Sequence, residues 1–359
     1  MTQRTWRTAL VGVATSLGTC LLLVAGGSTA QAEVSTRVTG TSTIATGLTS
    51  PWGLAFLPDG TALVSERDTA LVKRIRPGAA KAVRTVGRIP GVTPYGEGGL
   101  LGIAVPPGPQ PRWVYAYFTT EADNRIVRFA WNGTRLGRSQ VVLAGIPRGM
   151  FHNGGRLVFG SDGMLYASTG DTTNSALSQD LGSLGGKVLR MTPTGKRPRG
   201  NPFPDSLVWT FGHRNVQGLA FGPGGRLFAT EFGQQTVDEL NVLRPGRNYG
   251  WPIHEGASGD PGFVDPIAQW SPTSTASPSG VAIAGSSAYV ATLAGQRLFR
   301  VPLTGAGART PIAMRLGDLG RLRTVSRAPD GSLWLMTSNT DGRGQPRSQD
   351  DRILRLTLG

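Results

Sequence analysis

The chain is expected to fold as an all-β protein, a six-bladed β-propeller of four-stranded antiparallel blades. Three observations lead there. A strand–turn–strand unit recurs along the sequence, its turns are built from Pro, Asp and Gly between period-two alternations, and no convincing amphipathic helix interrupts the series. The clear copies are "GLAFLPDGTALVSERD" (53–68), "GGRLVFGSDGMLYASTGD" (154–171), "GLAFGPGGRLFATEFG" (218–233) and "TVSRAPDGSLWLMTSN" (324–339). Degenerate copies are "LLGIAVPPGPQPRWVYAYFT" (100–119) and "SGVAIAGSSAYVATLAG" (279–295). Their spacing of roughly 45 to 65 residues suits one blade per copy.

Before the first copy, Arg4 and Arg7 lead into an apolar run from Ala9 to Ala25, and "AQA" at 30–32 fits a signal-peptidase site. Residues 1–32 therefore read as a signal peptide, leaving 33–359 as a single propeller domain of a secreted protein. "LGTC" (17–20) has a lipoprotein look, but "LLLV" follows Cys20 and continues the apolar region. Cys20 is the only cysteine, so the mature chain has no disulfide, thiolate nucleophile or cysteine metal site.

Several copies run on into a third strand, as in "RIVRFAW" (125–131) and "RLFRVPL" (297–303). Ring closure is expected to pair "STIATGL" (42–48) with the last strand, "RILRLTL" (352–358), in one blade. Two polar, Pro/Gly-rich insertions, 192–205 and 255–280, read as long loops on the functional face.

The formal charge is +15, and nearly all the cations are arginine. The arginines are scattered and no basic run carries interleaved aromatics, which argues against nucleic acid as partner. No stretch beyond the leader is long and apolar enough to span a bilayer.

Four clusters carry candidate chemistry. His152 precedes a hairpin that Asp171 ends; the two strands bring their ends together, so the aspartate is placed to hold the imidazole tautomer. Taken alone, a histidine there reads more readily as structural. "GHRNVQG" (212–218) sets His213, Arg214, Asn215 and Gln217 at a strand entrance, either as a polar-ligand site or as a turn satisfying its own backbone. "EFGQQTVDELN" (231–241) and "GRNYGWP" (246–252) combine acids with glycine turns, a mixture that suits calcium or an ordinary acidic loop. Arg321 and Arg323 alternate along a strand, where burial would call for an anion.

"HNGGRLVFGSDGMLYASTGD", "SLGGKVLRMTPTGKRPRGNPF", "GHRNVQGLAF", "DELNVLRPGRNYGWP" and "SPSGVAI", in that order, resemble the soluble sugar dehydrogenases (glucose/sorbosone and aldose) that use pyrroloquinoline quinone, PQQ. The likeness runs from about Ile44 to Leu358 and implies a six-bladed propeller with the cofactor and calcium over its channel. It implies His152 as general base, Asp171 as its orienting partner, and hydride transfer from the anomeric carbon of an aldose to give a lactone. An external electron acceptor would then be needed. Cofactor contacts are implied for Arg214, Asn215, Gln217, Arg321, Arg323 and Glu97. Calcium contacts are implied for the carbonyls of Gly233 and Gln234, with Glu239 and the Tyr249 carbonyl at a second site. Ala294 stands where better-studied members have a lysine, so one cofactor cation is missing unless Arg297 reaches in; Phe151 stands where some have aspartate. The competing readings are a calcium-dependent lactonase-type hydrolase, which needs several acids in the channel, and a non-catalytic carbohydrate- or protein-binding propeller.

Overall fold

The computed structural model describes Met1 and residues 38–79, 81–305 and 307–359; apart from Met1, the leader read at 1–32 lies outside them. The chain divides into Met1–Glu33 and Val34–Gly359, and the fold lies wholly in the second. Among the described residues there are six four-stranded antiparallel sheets and no α-helix, only short 3-10 turns. Blade 1 covers 51–88, blade 2 covers 100–146, blade 3 covers 157–211, blade 4 covers 216–270 and blade 5 covers 278–314. Blade 6 takes three strands from 322–358 and its outer strand from Val38–Ala45, which pairs antiparallel with Ile353–Leu358. The expected closure is therefore the observed one.

The first strand of each blade lines the centre, and glycine sets how closely neighbours approach. A Cβ on Gly53 would meet Ile103 N at 2.8 Å and Leu101 O at 2.9 Å, in the first strand of blade 2. Gly102 stands likewise against the Gly155 carbonyl, Gly218 against that of Ser279, and Gly280 against Thr324 Cα at 2.7 Å. In these four blades the glycine is thus a packing requirement of the ring, whereas Arg156 and Thr324 stand at the corresponding position of blades 3 and 6. Hydroxyls on second strands tie blades together: Ser65 Oγ accepts from Gly53 N at 2.8 Å and donates to Leu101 O at 2.5 Å.

The apolar faces meet in six clusters, one at each blade–blade boundary. Leu63, Val72, Val114 and Phe129 fill that between blades 1 and 2, and Leu54, Val64, Trp334 and Ile353 that between 6 and 1. The Pro/Asp/Gly turns have a recurring anchor. Asp59, Asp162 and Asp330 each hold the turn's own backbone and pair with an arginine on the third strand of the same blade, Arg74, Arg190 and Arg355.

Two expectations about loops need correction. The 192–205 insertion joins the third and fourth strands of blade 3, Lys187–Met191 and Val208–Phe211. Alternating strand direction places that connection at the end of the propeller opposite His152, not on the functional face. The 255–280 segment is not loop throughout: Ala268–Trp270 is the outer strand of blade 4, and Pro278 opens blade 5.

Candidate active site

His152 and Asp171 lie on either side of the first hairpin of blade 3 (Leu157–Phe159 with Leu165–Ser168), whose antiparallel pairing brings the ends together. The pair is formed: His152 Nδ1 to Asp171 Oδ1 is 2.7 Å. Asp171 is also an acceptor for Thr173 N–H (2.8 Å) and, through Oδ2, for the indole N–H of Trp251 (2.9 Å). Burial opposes its ionisation, but the hydrogen bonds from His152, Thr173 and Trp251 outweigh it and hold its carboxyl below the ordinary value. With Nδ1 facing a carboxylate, the neutral imidazole carries its proton there and leaves Nε2 as the acceptor. His152 N–H donates to Glu97 Oε2 at 3.1 Å, so the backbone of the histidine is tied to Glu97.

The 212–217 turn reaches the same place. Asp171 N–H donates to the Arg214 carbonyl at 2.8 Å, and the Arg214 guanidinium stands 5.5 Å from the Trp251 ring centroid. Trp251 thus contacts both the dyad and Arg214, a link with no signal in the sequence beyond "GWP". His213 serves the turn itself. It is fully buried between Thr210 (2.8 Å) and Glu231 (2.8 Å), and the other Glu231 oxygen accepts the Arg214 N–H. Asn215 Oδ1 accepts from Gly154 N–H at 3.0 Å, leaving the buried Nδ2 without a partner among the described residues.

Beside this lies a cleft lined by Trp52, Arg67, Glu97, Gln217, Arg321 and Arg323, with Asp341 and Arg343. Arg321 and Arg323 converge on one oxygen of Asp341, at 3.1 and 3.3 Å. Gln217 Oε1 accepts from Arg323 Nη1 at 2.8 Å, while the buried Arg323 Nε has no partner among the described residues. Burial pushes Arg323 down to about 10, against the opposing charge of Asp341, and Arg156 to about 9, where the neighbouring Arg323 charge adds to the effect. Arg156 is held by the Gln217 carbonyl (2.8 Å) and Thr324 Oγ1 (3.1 Å) over the Trp52 ring. Crowded, desolvated guanidiniums with an orphaned donor fit a ligand carrying carboxylates. The cofactor implied by the resemblance is of that kind.

Arg67, Arg156, Asp341 and Arg343 were not legible as site residues. Arg343 pairs with Glu97 Oε1 at 2.9 Å and lies 5.5 Å from the Phe151 ring centroid. Arg297 is exposed and outside the cleft lining; the added cations come from Arg67 and Arg343. The cleft's two acids, Glu97 and Asp341, are both paired with arginine, a poor match to a channel of free carboxylates needed by a calcium-dependent hydrolase.

The acidic region forms a third group around Arg214, Glu231, Gly233, Glu239, Tyr249 and Glu255. Glu239 is buried, accepting from Gly256 N–H (2.7 Å) and Asn241 (2.9 Å); burial, with the Glu231 charge, pushes it up to about 8. Tyr249 stacks on His213 with centroids 4.8 Å apart. The 234–237 amides all converge on Glu255 Oε1, which fixes the loop carrying Gly233 and Gln234. No group of three or more His, Cys, Asp or Glu side chains is arranged to hold a metal among the described residues. A cation here would draw on carbonyls, with one carboxylate from Glu239.

This geometry has relatives. An uncharacterised protein of Synechocystis is 30% identical over 83% of both chains. The aldose sugar dehydrogenase of Escherichia coli is 28% identical over 82% of this chain and 89% of its own. The PQQ-bound aldose sugar dehydrogenase of Streptomyces coelicolor superposes with a TM-score of 0.85 at 54% identity, covering 90% of this chain and 98% of that one. A putative oxidoreductase (glucose dehydrogenase) of Thermus thermophilus gives 0.82 at 42% identity, covering 89% and 99%. The family model described as glucose/sorbosone dehydrogenase matches residues 48–354, and the chain belongs to that family.

Proposed function

We propose that the protein is a secreted, PQQ-dependent dehydrogenase that oxidises the anomeric carbon of aldose sugars to lactones. The observation that carries the reading is the meeting of the His152–Asp171 dyad with the arginine cleft through Glu97, and with Arg214 through Trp251. When bound, the quinone supplies a two-electron oxidant that takes up the hydride of the anomeric C–H. Arg321, Arg323 and Arg67 would hold its carboxylates, with Arg214, Asn215 and Gln217 completing the cradle. His152 Nε2 takes the anomeric hydroxyl proton while the carbon–oxygen double bond of the lactone forms. Asp171 keeps the ring turned and supports the imidazolium, which then releases its proton to solvent. A base of this kind contributes ~10²–10⁴-fold. An external electron acceptor would be needed to complete the cycle.

For calcium, the carbonyls of Gly233 and Gln234 would serve a cofactor-bound ion, whose chemistry would be to polarise the hydride acceptor. Glu239 with the Tyr249 carbonyl would serve a structural one. Two close, buried carboxylates, Glu231 and Glu239, are a repulsion that a divalent cation relieves.

The test is product analysis after loading with PQQ and calcium, using an aldose panel and an artificial acceptor. Native protein should yield lactone. His152→Ala should bind PQQ as before and lose at least ~100-fold in rate. Retained turnover in the variant would remove His152 as the base. PQQ binding without turnover on any sugar would leave a binding propeller.

A further inference from the structure

Outside the catalytic end, the strongest asymmetry in the molecule is charge. The turns joining first to second strands, and most connections between third and fourth strands, lie at the end away from His152. Arg76 (blade 1), Arg112 and Arg135 (blade 2), Lys196 and Arg199 (blade 3) and Arg309 (blade 5) all stand there, exposed and without an acidic partner among the described residues. The aspartates of these turns, Asp59, Asp162 and Asp330, are already matched by Arg74, Arg190 and Arg355. Asp205 and the C-terminal carboxylate are the other anionic groups in these connections. The acids of the chain lie mostly at the catalytic end, so its net positive charge is concentrated on the opposite face.

The distribution also specifies the partner. The cations are spread around the ring over four blades rather than drawn into a stripe, which matches a planar anionic surface better than a linear polyanion. Most are arginine, whose fork suits phosphate oxygens. Of the large apolar side chains exposed in the propeller, Tyr95, Met150, Leu181 and Ile253 lie in loops at the catalytic end, and Val141 and Ile312 on outer strands. The basic face therefore offers attraction without an apolar wedge. Val38, where the described propeller begins, pairs with Leu358 at this same end.

We propose that this face adsorbs the protein onto a bilayer rich in anionic phospholipid, with the catalytic end turned away from the lipid. Adsorption is electrostatic, reversible and sensitive to salt.

Co-sedimentation of the purified protein with vesicles of phosphatidylcholine, alone or mixed with phosphatidylglycerol, tests this. Any binding contributed by the apolar run near the N-terminus is common to both vesicle types. Binding should be stronger to the mixed vesicles and lose that excess at about 0.5 M salt, where screening acts within a few Å. The triple variant R76E/R112E/R199E should lose the excess by at least about 100-fold, from roughly fivefold per cation removed. Its sugar oxidation should be unchanged, because none of these residues lies in the catalytic machinery.

The lysines provide an orientation readout, since those of the described propeller are Lys73, Lys81, Lys187 and Lys196. Mixed vesicles should protect Lys81 and Lys196 from acylation and leave Lys73 reactive, with buried Lys187 silent throughout. Equal binding to both vesicle types, or undiminished binding by the triple variant, would overturn the proposal. Protection of Lys73 in place of Lys81 and Lys196 would do the same. Capture by soluble polyphosphate with no vesicle binding would reassign the face to a polymer.

Discussion

His152 adopts a left-handed backbone with φ of 56°, a conformation that costs an ordinary residue on the order of 1–3 kcal/mol unless its surroundings impose it. Its N–H is held by Glu97, its carbonyl accepts from Thr172 N–H at 3.2 Å, and its ring is held by Asp171. Gly170 is part of the same device, because a Cβ there would collide with the His152 carbonyl. Gly170→Ala should therefore displace His152 and, on the proposed mechanism, lower kcat by ~10–100-fold, with a smaller change in KM. Steady-state kinetics of the loaded enzyme check this, and an unchanged kcat would mean that the His152 backbone tolerates the displacement.

Asp171 makes a second prediction at this scale. Its folded-state value lies below the ordinary 3.8, so its contribution to stability is present above that value and is lost as pH falls through the lower, folded one. The Tm gap between native protein and Asp171→Asn should be constant from neutral pH to about pH 5 and close at lower pH. A gap that persists in strong acid would show that the asparagine is harmful through packing rather than charge.

At the scale of elements, the first-to-second-strand turns and the third strands form a repeated unit. Each turn aspartate caps backbone with one oxygen and meets an arginine with the other: Asp330 Oδ1 accepts from Ser332 N–H at 2.9 Å, and Oδ2 pairs with Arg355 at 2.7 Å. The ion pair is largely solvent-exposed and so contributes little, whereas the capping bond fixes the turn. Asp330→Asn should cost under ~1 kcal/mol by urea unfolding and Asp330→Ala more, ~1–2 kcal/mol. Equal costs would assign the effect to charge or to neither bond.

The loop from Asp171 to Lys187 has a different anchor. The Lys187 ammonium donates to the carbonyls of Leu177 (2.5 Å), Ser178 (3.1 Å) and Gly185 (2.6 Å). Burial pushes this group down to about 8 against the opposing charge of Asp180, but three carbonyl acceptors match its three donors and favour the charged form. The lysine of "GGKVLR" is thus the rivet of the loop that follows Asp171.

For the whole molecule, the apparent conflict is a large chain that must be stable with no disulfide in its propeller. Six inter-blade cores and a final blade closed by residues from both ends of the propeller resolve it. Alternation, Pro/Asp/Gly turns and blade-facing glycines are local, which is why the fold and the His152–Asp171 pair were legible in the sequence. The arginine cleft was legible only in half. Arg67 reaches the Asp341 carbonyl at 3.0 Å across 274 residues, a contact made by ring closure and not by any motif. The 192–205 insertion was misplaced because loop composition does not tell one end of a propeller from the other.

Glu239 gives a prediction at this scale. An acid whose folded value is raised to about 8 from 4.5 contributes stability below the lower value and loses it as pH rises through the higher. Metal-free protein should therefore lose Tm between about pH 5 and pH 8, and calcium should restore it most at the alkaline end. A Tm indifferent to calcium at pH 8 would remove the structural ion from the account.

The most direct measurement is an equilibrium titration of native protein and Arg323→Ala with PQQ in the presence of calcium, followed by the absorption of the quinone. The central claim is that the guanidinium cleft holds this cofactor against the histidine dyad. It predicts saturable binding with one equivalent per chain, weakened at least ~10-fold by the substitution. Absence of binding by folded native protein, or equal affinity in the variant, would contradict it.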